Sequence, residues 1–256
     1  MSLSENHQVN VNGIEFKFIL NKIECARNGV IIFMPSAKSN LTKKIHPYFP
    51  RVMWSKELGD YCSIYVSDPF DGKEYTDNFL ASWFISEDGK SALPELASIF
   101  MSLIPVNSGP LIVYGSSMGG FSALYIGRMI NSDAIIAEGP QINLERYPTS
   151  RNLIDSLRSP PSPEWTNLFH FYRENGFPSG MVKIFINVGD AAHIKYITNE
   201  ITDPDNAKMM KSIKPDMFEI KILPHLSGYG HVNMQMEEGI GTIREVFSLL
   251  MRKKQK

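Results

Sequence analysis

Cysteine is scarce: only Cys25 and Cys62 occur in 256 residues, and they form no C-x-x-C pair. That argues against a disulfide framework or a thiolate zinc site and favours a reducing, cytoplasmic setting. Charge of one sign is also lacking. A formal net charge of −1 provides no basic excess with which to bind phosphates, so no nucleic-acid partner is expected. The basic end Arg252-Lys253-Lys254-Gln255-Lys256 is short and reads as a solvated helix end. No apolar run approaches the ~20 residues that span a bilayer, so no membrane span is expected. Met1-Ser2-Leu3-Ser4-Glu5-Asn6-His7 has neither the basic nor the apolar part of a secretory leader. Internal repeats and low-complexity tracts are missing too.

What is present is an alternation of buried-strand and helix patterns. Val9–Val11 and Ile14–Leu20 flank Asn12-Gly13, a two-residue hairpin signal. The apolar runs at 29–34, 61–66, 111–114, 134–137, 182–188 and 218–223 read as strands. Helical spacing runs over 92–104, where Pro94 falls in the tolerant first turn, over 119–129, and over 233–252. Strands separated by helices predict an α/β fold: a mostly parallel sheet covered on both faces, with an antiparallel N-terminal hairpin and ligands at the strand carboxyl ends. An apolar content of 43% suffices for one core, so 1–256 is read as a single domain. Residues 147–180 carry five prolines and break the β–α rhythm. They form either a lid or cap insertion or plain surface packing.

Gly115-Ser116-Ser117-Met118-Gly119 follows the run Leu111–Tyr114 and precedes a helix. This is the G-x-S-x-G arrangement, in which a serine is displayed on a sharp strand-to-helix turn. A glycine-rich turn with no chemistry is the bland alternative. The central Ser117, rather than Ser116, stands at the apex. A serine hydroxyl needs a base to become a nucleophile. Of six histidines, His193, His225 and His231 lie near strand ends. His231 sits in a glycine-rich loop between the last strand and the last helix, where a base would face a central strand. Activity that needs this histidine neutral should rise with pH through about 6 to 7.5. Asp190 ends the strand 182–188 and would orient the imidazole; its ordinary role is capping the next helix. Glu138, at the end of the preceding strand, is the alternative acid. Asp203 and Asp205 read as helix starts. For the oxyanion, the amides of Met118 and of Ser36 or Ala37, in the loop Pro35–Asn40, are candidates. Trp83, Trp165 and Tyr229 offer rings to a sugar face, although core packing is the commoner role. No metal site is expected.

The order Ser117, Asp190, His231 makes nearly the whole chain resemble a serine α/β-hydrolase. The segments Tyr114–Gly120, Glu138-Gly139-Pro140-Gln141 and Leu226–His231 are similar to hydrolase-like proteins of bacterial surface-polysaccharide pathways. Among these are capsule O-acetyltransferases, which show a G-S-S-x-G-G elbow, a P-Q pair and a late S-G-x-H loop. The resemblance implies a serine acylated by a thioester donor and an acyl group passed to a sugar hydroxyl. Ser117 would carry the acyl group, with His231 as base and Asp190 as acid. No bound cofactor is implied, with acetyl-CoA as acyl donor for a transferase and a small-molecule or carbohydrate ester as substrate. The oligomeric state stays open. A catalytically silent hydrolase-like partner in a surface-glycan or export machine is the reading from another class.

Overall fold

A computed structural model describes residues 5–39, 42, 44–76, 79–224, 231 and 233–254. Asn40, His225, Gly228, Tyr229 and Gly230 lie outside these residues, so the readings attached to them have no structural counterpart.

The strands are β1 (Glu5–Val11), β2 (Ile14–Asn21), β3 (Val30–Phe33), β4 (Cys62–Val66), β5 (Leu111–Ser116), β6 (Ala134–Glu138), β7 (Met181–Asn187) and β8 (Phe218–Leu223). The helices are α1 (Leu93–Leu103), α2 (Met118–Met129), α3 (Pro148–Ser156), α4 (Pro163–Thr166), α5 (Leu168–Asn175), α6 (Ala191–Thr202), α7 (Pro204–Met210) and α8 (Met236–Lys254). The strands form one eight-stranded sheet in the order β1-β2-β4-β3-β5-β6-β7-β8. β1 pairs antiparallel with β2, and β2 antiparallel with β4, whereas the remaining neighbours are parallel. The expected α/β-hydrolase fold is therefore present, opening hairpin included. Asn12 and Gly13 both take positive φ, 53° and 80°, as a type I′ turn requires of its two central residues.

Period-two alternation sorts the strand side chains into two cores. Ile32, Ile64, Val113 and Ile135 face one side, where Phe100 of α1 and Phe121 of α2 cover them. Ile31, Phe33, Tyr65, Ile112, Tyr114 and Ile136 face the other, covered by Trp54 and by Phe247 of α8. Burial on both faces explains why the central strands read as unbroken apolar runs. Each fully buried ring removes enough apolar surface to contribute about 1.5–3 kcal/mol. Truncating Phe121 to alanine would cost roughly 3–5 kcal/mol through the cavity left behind.

Residues 147–180 hold α3, α4 and α5. Phe171 stacks on Tyr125 of α2 at 4.0 Å, and the Tyr172 hydroxyl donates to the Leu124 carbonyl at 3.1 Å. The start of the segment lies elsewhere: the Tyr147 ring meets His193 at 5.6 Å.

Candidate active site

β5 delivers Ser117 to the carboxyl edge of the sheet, and α2 starts directly after it. Ser117 has φ 53° and ψ −119°, a conformation sparsely populated by residues with a side chain. Its amide donates to the Glu138 carbonyl at 2.8 Å, which ties the turn to the end of β6. The turn closes because Gly115 and Gly119 lie in contact. A Cβ on Gly119 would also come within 2.7 Å of the Pro35 carbonyl. Ser116 is fully buried and accepts a hydrogen bond from Arg51 Nη2 at 2.8 Å. Ser117 is half-buried at the apex. The two adjacent serines thus face different surroundings, and Ser117 is the displayed one.

Asp190 follows β7 and caps α6, with Oδ1 accepting from the His193 amide at 3.0 Å. Its other oxygen, Oδ2, stands 2.9 Å from Nδ1 of His231. Capping α6 and contacting the imidazole fall to different oxygens of one carboxylate. A carboxylate can only accept, so Nδ1 carries the proton and Nε2 is left with the lone pair a base needs. The ring of His231 lies against Gly139, whose φ is +45°. A Cβ at that position would stand 2.6 Å from Cε1 of His231. The imidazole occupies the space of a missing side chain.

Glu138 is employed differently. Its carboxylate accepts from the Tyr114 hydroxyl, from Arg51 Nη2 at 3.3 Å and from the Met234 amide at 2.6 Å. Burial pushes its pKa up while Arg51 pulls it down. For Arg51, burial opposes the charge, but Glu138 and Tyr114 outweigh it and raise the pKa. The network joins the 45–51 loop, β5, β6 and the residues just after His231.

His193 is 1% exposed and packs its ring 5.0 Å from that of His231. Its Nε2–H donates to the Pro140 carbonyl at 3.0 Å, and its buried Nδ1 has no hydrogen-bond partner among the described residues. Burial first, and then the charge of His231, push its pKa down to about 4, so it stays neutral near neutral pH. Asp190, His193 and His231 place ligand atoms within 4.8 Å of one another. A transition metal there would compete with the Asp190–His231 hydrogen bond. Asp203, read as a helix start, caps α7 through the Asp205 amide at 3.2 Å.

On the opposite side of Ser117, Ser36 and Met118 line one small cavity with Tyr48, Leu80 and Ala81. Ala37 is half-buried and packs against the core. Trp83 is 2% exposed, so its ring presents no open face for stacking, whereas Trp165 is half-buried against Tyr125. Trp83 instead donates Nε1–H to Gln141 Oε1 at 3.2 Å, and Gln141 Nε2 donates to Ser117 Oγ at 3.0 Å. Sequence reasoning gave no role to Gln141, Trp83 or Arg51 in these contacts. The available signals were the position of Gln141 three residues past the end of β6 and the P-Q pair it forms with Pro140.

No family model matches the chain, and no curated protein matches it. Solved structures do. A capsule O-acetyltransferase of Neisseria meningitidis serogroup A superposes with a TM-score of 0.65 at 19% identity, covering 96% of this chain and 94% of that one. A variant of that enzyme in complex with CoA gives 0.62 at 17% identity, over 95% and 94%. Acetyl xylan esterase 1 from Thermoanaerobacterium gives 0.55 at 15% identity, over 97% and 84%. At these identities the likeness is one of fold.

Proposed function

We propose that the chain is a serine-dependent acyl-ester enzyme, in which Ser117 is the nucleophile, His231 the general base and Asp190 the acid that orients it. The observation that carries this reading is the 2.9 Å contact between His231 Nδ1 and Asp190 Oδ2, with the imidazole held over Gly139 beside the Ser117 turn. His231 Nε2 takes the Ser117 proton as Oγ attacks the acyl carbonyl, and Asp190 stabilises the imidazolium that forms. The oxyanion is received by the Met118 amide at the start of α2 and by that of Ser36 or Ala37. His231 then returns the proton to the leaving group. Water or a bound hydroxyl attacks the acyl-serine in the second half of the reaction.

The acyl group is acetyl and the acceptor a carbohydrate or small-molecule hydroxyl, with acetyl-CoA as donor if the enzyme transfers. The similarity to a capsule O-acetyltransferase, including a variant solved with CoA, and to an acetyl xylan esterase supports this choice. No helix among the described residues is long and apolar enough to cross a membrane. Free thiols at both Cys25 and Cys62 support a cytoplasmic setting. The chain acts as a single domain, and residues 147–180 form a cap that borders the acid–base side through Tyr147.

Two measurements test the reading. A fluorophosphonate probe should label the wild type and not Ser117→Ala. Incubation with acetyl-CoA or p-nitrophenyl acetate should add one acetyl group to the intact mass of the wild type alone. Equal labelling of Ser117→Ala would refute it.

A further inference from the structure

Trp83 and Phe84 are two consecutive large residues in the left-handed region, with φ 52° and 59°. Side chains of this kind avoid that region, so something must hold the turn. The holder is Asp68, which is 6% exposed. Its Oδ2 accepts from the Ser82 hydroxyl and, at 3.3 Å, from the Phe84 amide. Its Oδ1 accepts from the Phe70 amide at 3.0 Å. Asp68 and its partners fix the strained turn, and the turn aims the indole N–H of Trp83 at Gln141.

An indole nitrogen can only donate, so the Gln141 atom facing Trp83 must be the carbonyl oxygen. That settles which way the amide points. Its NH2 group is directed at Ser117 Oγ at 3.0 Å. The amide also interacts with the Tyr147 phenol, whose pKa burial raises and Gln141 lowers. Gln141 is itself 1% exposed; its bond to Trp83 is buried and its bond to Ser117 opens onto the half-buried apex.

We infer that Gln141 is a further catalytic residue, a fixed N–H donor to the Ser117 oxygen, and that Trp83 and Asp68 are the positioning residues that set its orientation. The inference rests on Ser117 being the nucleophile. In the first half-reaction the Oγ–H proton goes to His231 Nε2, the Oγ–carbon bond forms, and the carbonyl electron pair moves onto the oxyanion. That pair then reforms the carbonyl, the bond from carbon to the donor's leaving group breaks, and His231 gives its proton to that group. In the second half the acceptor hydroxyl gives its proton to His231 and bonds to the acyl carbon. The carbon–Oγ bond then breaks, its electron pair returns to Oγ, and His231 reprotonates it. Oγ carries partial negative charge while its bond to carbon is made and again while that bond is broken. A donor already aimed at it stabilises both transition states more than the neutral serine or the ester. Because the donor is pre-aligned, no reorganisation is needed at the moment of reaction.

The test uses burst kinetics with p-nitrophenyl acetate on the wild type, Gln141→Met, Gln141→Glu, Trp83→Phe and the double variant Trp83→Phe/Gln141→Met. Thermal melts confirm that each is folded, and Gln141→Glu preserves the volume should Gln141→Met fold poorly. A donor hydrogen bond to a charged oxygen corresponds to about a 10- to 100-fold change. The acylation and deacylation rate constants of Gln141→Met and Gln141→Glu should both fall by that factor, with substrate binding unchanged. Trp83→Phe should lose part of it, and the double variant should be no slower than Gln141→Met. Wild-type acylation rates in both Gln141 variants, with Ser117→Ala unlabelled, would overturn the catalytic role while leaving the nucleophile assignment standing. Losses that multiply in the double variant would overturn the positioning role of Trp83. Labelling of Ser117→Ala would instead remove the nucleophile reading itself.

Discussion

Two carboxylates stand at neighbouring strand ends, Glu138 on β6 and Asp190 just past β7, and the structure uses them in opposite ways. Glu138 is buried, and its two oxygens already serve Tyr114, Arg51 and Met234. Asp190 spends one oxygen on the α6 amide and turns the other to His231, whose side chain remains 31% exposed. A strand-end acid is therefore not assigned by its place in the fold but by the acceptor capacity it has left. Beside Ser117, two groups keep an atom for a candidate reacting centre: Asp190 Oδ2 reaches His231, and Gln141 Nε2 reaches Ser117 Oγ. Those sealed beneath, Glu138 with Arg51 and also His193 and Asp68, are committed to holding shape.

The widest gap between the two layers should appear in turnover. Asp190→Asn should lower kcat by roughly 10³- to 10⁴-fold, because the imidazole loses its tautomer control and its charge partner. The melting temperature should change little. Steady-state hydrolysis of p-nitrophenyl acetate, run beside a thermal melt, measures both. His231→Ala should be at least as inactive.

Glu138→Gln should invert that pattern. Arg51 would be left buried and short of its counter-charge, a cost of about 3–5 kcal/mol in unfolding free energy. Turnover per folded molecule should stay within several-fold of wild type. Urea unfolding combined with active-site titration separates the two quantities. A fully stable but inactive Glu138→Gln, beside an active Asp190→Asn, would exchange the two roles.

A smaller effect comes from sealed titratable groups of opposite sign. Burial holds Asp68 up at about 6, so its contribution is fully present below the ordinary carboxylate value of about 3.8 and is lost as pH rises through 6. His193 is held down at about 4. Its contribution is fully present above the ordinary 6.5 and is lost as pH falls through 4. Between pH 4 and 6 the two slopes oppose each other, each on the order of 1–3 kcal/mol over the window. Relative to wild type, Asp68→Asn should gain stability as pH rises across this window, and His193→Phe should lose it. Chemical denaturation at pH 4, 5 and 6 would show parallel curves for all three if the comparison is wrong.

The parts of the site legible in the sequence are those encoded locally. A buried strand, a G-x-S-x-G turn and a helix lie within about twenty residues, and their order predicts the Ser117 elbow. Asp190 is likewise readable as the residue that ends one strand and begins one helix. The contacts that escape sequence reasoning join distant positions. Arg51 meets Glu138 across 87 residues, and Trp83 meets Gln141 across 58. No local pattern announces such pairs, because they exist only once the sheet has brought the strand ends together. Trp83 illustrates the limit: its size suggests a stacking platform, whereas its one polar atom is what the fold employs.

The backbone of Ser117 bears on the reading in which the chain is a silent partner. A β-carbon at φ 53° and ψ −119° costs about 1–3 kcal/mol that glycine would avoid. Ser117→Gly should therefore unfold later than wild type by roughly 1 kcal/mol, measured by urea denaturation, while losing all probe labelling. A protein maintained only for its shape gains nothing by keeping a hydroxyl in so unfavourable a place. On the proposed reading, that burden is a standing bias of the native state toward the chemistry assigned to Ser117.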